Sequence, residues 1–150
     1  MVSKNFTAII EVTKSPQIVF RSITKDVSKW WGGKDLAGNS SKLNDEFIIN
    51  HPGQHYSKQR LVEVIQNKKI VWLVTDSTLQ WLQKDKHEWQ NTKMIFEITQ
   101  HGDLTTLHFT HEGLVPEKEC YALCSEGWNT VIKEYLFNYI GEGKAHFQVT

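Results

Sequence analysis

EKECYALCSEGWNTVIKEYLFNYI, residues 117 to 140, carries ring-bearing and aliphatic side chains at Tyr121, Trp128, Val131, Ile132, Tyr135, Leu136 and Tyr139, with Cys124 between them. Steps of three and four residues place this set on one face of an α-helix. Pro116, followed by Glu117 and Glu119, predicts the start, because acids in a first turn favour the positive end of the helix dipole. Gly141 and Gly143 predict the end. At about 1.5 Å per residue such a helix is about 36 Å long, enough to cross a domain. Gly127 costs about 1 kcal/mol relative to alanine inside a helix, so it is expected to mark a bend or a close approach to whatever the helix covers.

The surface to be covered lies upstream. Phe6, Ala8, Ile10 and Val12 alternate with Thr7, Ile9 and Glu11, which predicts a first strand partly buried on both faces. Ser15-Pro16 opens a short helix with Ser as cap and Pro in the first turn. Asp26 can cap a second short helix carrying Val27, Trp30 and Trp31, ended by Gly32-Gly33. Residues 34–44 are polar and read as a loop with at most a short strand. Phe47, Ile49 and His51 share one face of the next strand, and Pro52-Gly53 turns the chain. Further strands are predicted over Tyr56 to Gln66, Ile70 to Thr75, Thr92 to Thr99 and Leu104 to His111. Asn67-Lys68-Lys69 and Gly102-Asp103 supply turns. The β-rich run at 70–75 is expected at the centre of the sheet. Residues 77–91 fit either a strand or a wide loop, with Lys84 to Glu88 read as a solvated charged run. Tight turns make the strands antiparallel, and one face of that sheet needs the final helix as cover.

The totals narrow the class. The chain has 150 residues, 17 basic and 17 acidic, and six Trp. One domain of that size buries about 70% of its unfolded surface and needs no staple, so residues 1–150 are expected to form a single domain. A balanced charge with no dense Lys/Arg run argues against a nucleic-acid partner. No apolar run approaches the roughly 20 residues of a membrane span, and the first residues lack a signal-peptide core. Cys120 and Cys124 are four apart on the predicted helix, where disulfide geometry is rarely met. A cytoplasmic protein with reduced thiols is the expectation.

Four stretches carry a family resemblance: Ser15-Pro16-Gln17-Ile18-Val19-Phe20, Trp30-Trp31, Phe109-Thr110-His111-Glu112-Gly113-Leu114 and Gly127-Trp128. In this order they resemble the START-related, helix-grip (SRPBCC) superfamily, and within it the family related to the activator of the heat-shock-protein-90 ATPase. The resemblance covers nearly the whole chain. It implies an α+β helix-grip fold: a curved antiparallel sheet of six to seven strands wrapped around a long C-terminal helix, with two short helices after the first strand and a cavity between sheet and helix. Members bind lipids, polyketides and other apolar molecules. Some cyclise polyketides, some belong to stress systems, and the namesake activates a chaperone.

The expected ligand is therefore a small hydrophobic molecule, lipid or polyketide-like. The alternatives that the resemblance implies are a chaperone partner, or a polyketide cyclase-like enzyme using His111 or His51, with the chain a monomer or weak dimer. The expected lining is Trp30, Trp31, Phe47, His51, Trp72, Phe96, Phe109, His111, Cys124, Trp128 and Ile132, apolar with a few polar points. The same rings could instead be an ordinary filled core. His111 could anchor a ligand or move a proton, but with no catalytic partner evident it reads better as a group that hydrogen-bonds backbone at the strand-to-helix crossover. Trp30-Trp31 fits either the pocket mouth or the core. His51 and His55 flank a turn and find no third ligand, so no zinc site follows. No nucleophile elbow, phosphate loop or dinucleotide fingerprint is present. No cofactor and no catalytic residue is assigned.

Overall fold

A computed structural model describes residues 4–144. Its centre is a seven-stranded antiparallel sheet in the order β1-β7-β6-β5-β4-β3-β2. The strands are β1 (Phe6–Val12), β2 (Leu36–Gly38), β3 (Glu46–His51), β4 (His55–Ile65), β5 (Lys69–Leu79), β6 (Lys93–His101) and β7 (Leu104–Glu112). The chain is thus an α+β helix-grip fold, with β5 in the middle of the sheet as its β-branched composition predicts. β1 returns to pair with β7, from Phe6 opposite His111 to Val12 opposite Thr105. Only one face of β1 is buried: Phe6, Ala8, Ile10 and Val12 point inward, while Ile9 is 56% exposed. Two register shifts in the β4–β5 pair, at Lys58/Gln59 and Leu61/Glu63, bend the long strands as bulges do.

Helix α1 (Pro16–Ser22) begins as predicted, with the Ile18 amide donating to Ser15 Oγ at 3.3 Å. The second short helix is instead two single turns, Val27–Lys29 and Gly33–Asp35. Asp26 does not cap the first of them with its side chain. Its carboxylate accepts the Tyr139 hydroxyl at 2.8 Å and so ties this segment to the end of the chain's last helix. Burial, then that carboxylate, pushes the Tyr139 phenol up to about 12.

The C-terminal helix runs continuously over 121–142 as α2 (Tyr121–Thr130), a π-helical segment (Val131–Leu136) and α3 (Phe137–Glu142). Of the predicted stripe, Cys124, Trp128, Ile132 and Leu136 are buried and Tyr121, Val131, Tyr135 and Tyr139 partly so, while Ile140, which was not among them, is buried as well. The start and the irregularity both differ from expectation. Residues 117–120 form a turn, and the amides of Glu119 and Cys120 donate to the Glu88 carboxylate, both at 3.0 Å. Part of the run read as solvated is therefore the cap of the helix. In return the Glu119 carboxylate accepts the Gln83 and Lys84 amides, and these backbone hydrogen bonds hold it below its ordinary carboxylate range.

Cys120 is the N-cap residue of the helix, and its carbonyl accepts the Cys124 amide at 2.7 Å. Its Cα lies 5.4 Å from that of Cys124 and the two are joined as a disulfide, against the expectation of reduced thiols. The departure from α geometry falls at Val131–Leu136 and not at Gly127. A Cβ built on Gly127 would meet nothing within 4 Å, so no close approach to the sheet occurs there.

The loop between β5 and β6 resolves the ambiguous stretch. β5 continues to Leu79, and the chain then crosses in turns anchored by Leu82 and Trp89, which are 1% and 6% exposed.

Candidate functional site

The inner face of the sheet is filled with rings. Trp72 of β5 stacks on Trp30 and Trp31, with centroids 6.2 and 5.8 Å away, and meets Phe47 and Phe96 at 4.9 and 4.6 Å. The series continues from Phe96 to Phe109 at 5.0 Å and from Phe109 to Trp128 at 4.6 Å. Trp30, Phe47, Trp72, Phe96, Phe109 and Ile132 are essentially inaccessible. These six predicted lining residues pack the core. Trp30 further fixes itself by donating its indole N–H to the Ser22 carbonyl at 2.7 Å.

Open space lies at one end of this ring series, where α2 passes over the loop between β5 and β6. It is a cleft of about 530 Å³. Trp31, Trp81, Trp89 and Trp128 form its aromatic walls, and Gln54, His55, Leu123, Cys124, Glu126, Gly127, Thr130, Val131 and Tyr135 complete the lining. The lining is drawn from several elements. Trp31 follows the turn Val27–Lys29, Trp89 comes from the loop, Trp128 from α2 and His55 from the start of β4. Trp128 contacts Trp31 at 5.1 Å and stacks on Trp89 at 5.9 Å, and His55 meets Trp89 edge-on at 5.2 Å.

Of the predicted lining, the structure brings Trp31, Cys124 and Trp128 together at the cleft. His51 was expected to face inward. At the end of β3 it is exposed instead, and Asp35 holds its Nδ1 at 2.8 Å. Trp30 and Trp31 divide the two roles weighed for them, one in the core and the other at the cleft.

His111 lies behind the cleft, fully buried in a directed chain of hydrogen bonds. Trp128 Nε1–H can only donate, and it reaches His111 Nδ1 at 3.0 Å. Nδ1 is therefore the bare nitrogen, and Nε2 carries the proton. Nε2–H donates to Thr92 Oγ1 at 2.8 Å, and the Thr92 hydroxyl donates to the Trp89 carbonyl at 2.6 Å. Burial opposes the charge that a second proton would bring, so the pKa falls to about 3. The partners are side chains, where the crossover backbone was expected. Both ring nitrogens are engaged, which leaves no free nitrogen to move a substrate proton. His55 is likewise lowered, to about 4, by burial and then by the charge of His51. Its Nε2 pairs with Ser57 Oγ at 2.7 Å.

Gly113 secures this chain of bonds. Its φ is +104°, and an added Cβ would stand 2.6 Å from Thr92 Cγ2. Gly113→Ala is expected to cost about 2–3 kcal/mol through strained backbone and displacement of Thr92. Urea unfolding checks this, and a loss below about 0.5 kcal/mol would contradict it.

Trp81, Trp89, His55, Gln54, Glu126 and Tyr135 were absent from the sequence-derived lining. One signal pointed toward the first two: they are two of six Trp in a short chain, and both sit in the stretch that fitted no regular element. Among the described residues, no cluster of three or more His, Cys, Asp or Glu could hold a metal ion. No helix among them is long and apolar enough to cross a membrane.

A curved antiparallel sheet, a long gripped helix and a ring-walled cleft beside that helix define a START-like (SRPBCC) domain. Residues 13–141 match the model of the Activator of Hsp90 ATPase homolog 1-like protein family, and the chain belongs to that family. No curated protein matches the chain. Among solved structures, the fold is similar to the Aha1 dimer from Colwellia psychrerythraea, with TM-score 0.75 and 20% identity over 97% of this chain and 100% of that one. It is also similar to DynU16 of the dynemicin biosynthetic locus, with TM-score 0.67 and 14% identity over 92% of this chain and 47% of that one. CalU16 from Micromonospora echinospora gives TM-score 0.64 and 10% identity over 91% of this chain and 76% of that one.

Proposed function

We propose that the protein binds a small apolar or amphipathic molecule in the cleft beside its C-terminal helix, and that it does so without a chemical step of its own. The observation that carries this reading is the open, ring-walled cleft of about 530 Å³, within the range typical of small-molecule sites. The absence of catalysis rests on His111. Buried groups engage both its ring nitrogens, so it serves to hold Trp128 in place as a cleft wall. Two of the similar structures, from the dynemicin locus and CalU16, share the fold. They support a binding scaffold without naming what is bound here.

Gly127 provides the test. It lies in the cleft lining, and a side chain there would enter open space. Gly127→Ala is expected to stabilise the helix by about 0.5–1 kcal/mol. Gly127→Leu should keep the fold and weaken binding of a neutral aromatic probe by about tenfold or more, since its branched side chain projects into the cleft. Indole N–H resonances of Trp31, Trp81, Trp89 and Trp128 report occupancy. Saturable shifts that disappear in Gly127→Leu support the reading, and shifts unaffected by that change would sink it.

A further inference from the structure

The charge pattern of the cleft narrows the class of ligand, on the premise that the cleft is the binding site. Glu126 is the single formally charged residue in the lining, and no Lys or Arg belongs to it. Lys86, on the flanking loop, directs its ammonium to the Gln80 and Leu82 carbonyls at 2.6 and 2.8 Å. Lys133, seven residues beyond Glu126, lies outside the lining. His55 stays neutral near pH 7, because burial lowers its pKa to about 4.

The same lining holds four indoles and the phenol of Tyr135. Indole and phenol rings present negative faces, which attract ammonium groups and repel carboxylates. Glu126 is exposed at the rim, so it can meet a bound cation without first losing its own hydration. A ligand carboxylate would find no cation in the lining, and it would give up water against ring surfaces of its own sign.

We propose that the cleft selects organic cations with an aromatic or apolar body, such as aryl-alkyl amines or quaternary ammonium compounds, over carboxylates of the same shape.

Three near-isosteric probes test this: naphthylmethylammonium, naphthylmethanol and naphthoate. Each is titrated into the full-length protein at pH 7 while the indole N–H resonances are followed. The ammonium should bind about 5-fold or more tightly than the alcohol, a difference in the range of cation–π attraction, and naphthoate should bind most weakly. Glu126→Gln should reduce the advantage of the ammonium over the alcohol. Naphthoate binding as tightly as the ammonium, or an ammonium advantage that survives Glu126→Gln intact, would overturn the selectivity. Shifts from the alcohol would then still support a binding cleft. If none of the three probes shifts the cleft indoles, the binding reading falls together with the selectivity.

Discussion

Trp72→Ala is expected to lower the unfolding free energy by about 3–5 kcal/mol, the range for truncating a large buried ring. Trp72 is wholly inaccessible at the centre of β5. Its indole touches Trp30, Trp31, Phe47 and Phe96, so the change removes four ring contacts at once. Each is worth about 0.5–1.5 kcal/mol beyond the area it buries. The hole cannot collapse easily, because Trp30 is pinned to Ser22 and Phe47 and Phe96 are held in strands β3 and β6. Trp72→Phe keeps a ring there and should cost less. A domain of this size has only about 5–15 kcal/mol to lose, so the alanine variant should unfold at much lower urea concentration. A difference of less than about 1 kcal/mol would contradict a packed interior.

Acidification is expected to have the second largest effect. His111 is neutral in the fold, with its pKa lowered from 6.5 to about 3. The unfolded chain therefore binds a proton at this site while the native protein does not. The stability associated with neutral His111 is complete above about pH 6.5 and is lost as the pH falls from there toward about 3. The slope is about 1.4 kcal/mol per pH unit, which amounts to roughly 3 kcal/mol between pH 6.5 and 4. His55 shifts in the same direction and steepens the loss. His111→Gln can still accept from Trp128 and donate to Thr92, but it does not titrate. Its stability, measured by urea unfolding at several pH values, should fall less steeply by about one proton. An unchanged slope would show that His111 is not the group protected by the fold.

Much of the architecture was legible because it rests on period and punctuation. Helix α1 follows from Ser15-Pro16, and β1, β6 and β7 from alternation. The buried stripe of the final helix was read in part, through Cys124, Trp128, Ile132 and Leu136. The cleft was less legible. Trp31 and Trp128 stood out as members of adjacent-residue motifs, whereas Trp81 and Trp89 lay in a segment with neither period, and nothing local says which way a loop Trp points. His51 followed the alternation of β3 and was expected to face inward. It lies where the strand leaves the core, and Asp35 holds it outside. Glu88 read as solvent-facing because its partners, the amides of Glu119 and Cys120, are 31 and 32 residues away.

The C-terminal helix shows both sides of this division. Its existence, its apolar face and its need for a sheet to cover were determined by the sequence, since side-chain spacing along one element is a local property. Its starting residue, its π-helical segment at Val131–Leu136 and the protonation state of the histidine behind Trp128 were decided only by the tertiary structure. The start depends on a carboxylate from a loop, and the histidine on an indole of the helix and a hydroxyl 19 residues before it. Separation along the chain carries no record of such meetings, and burial then fixes their energetics.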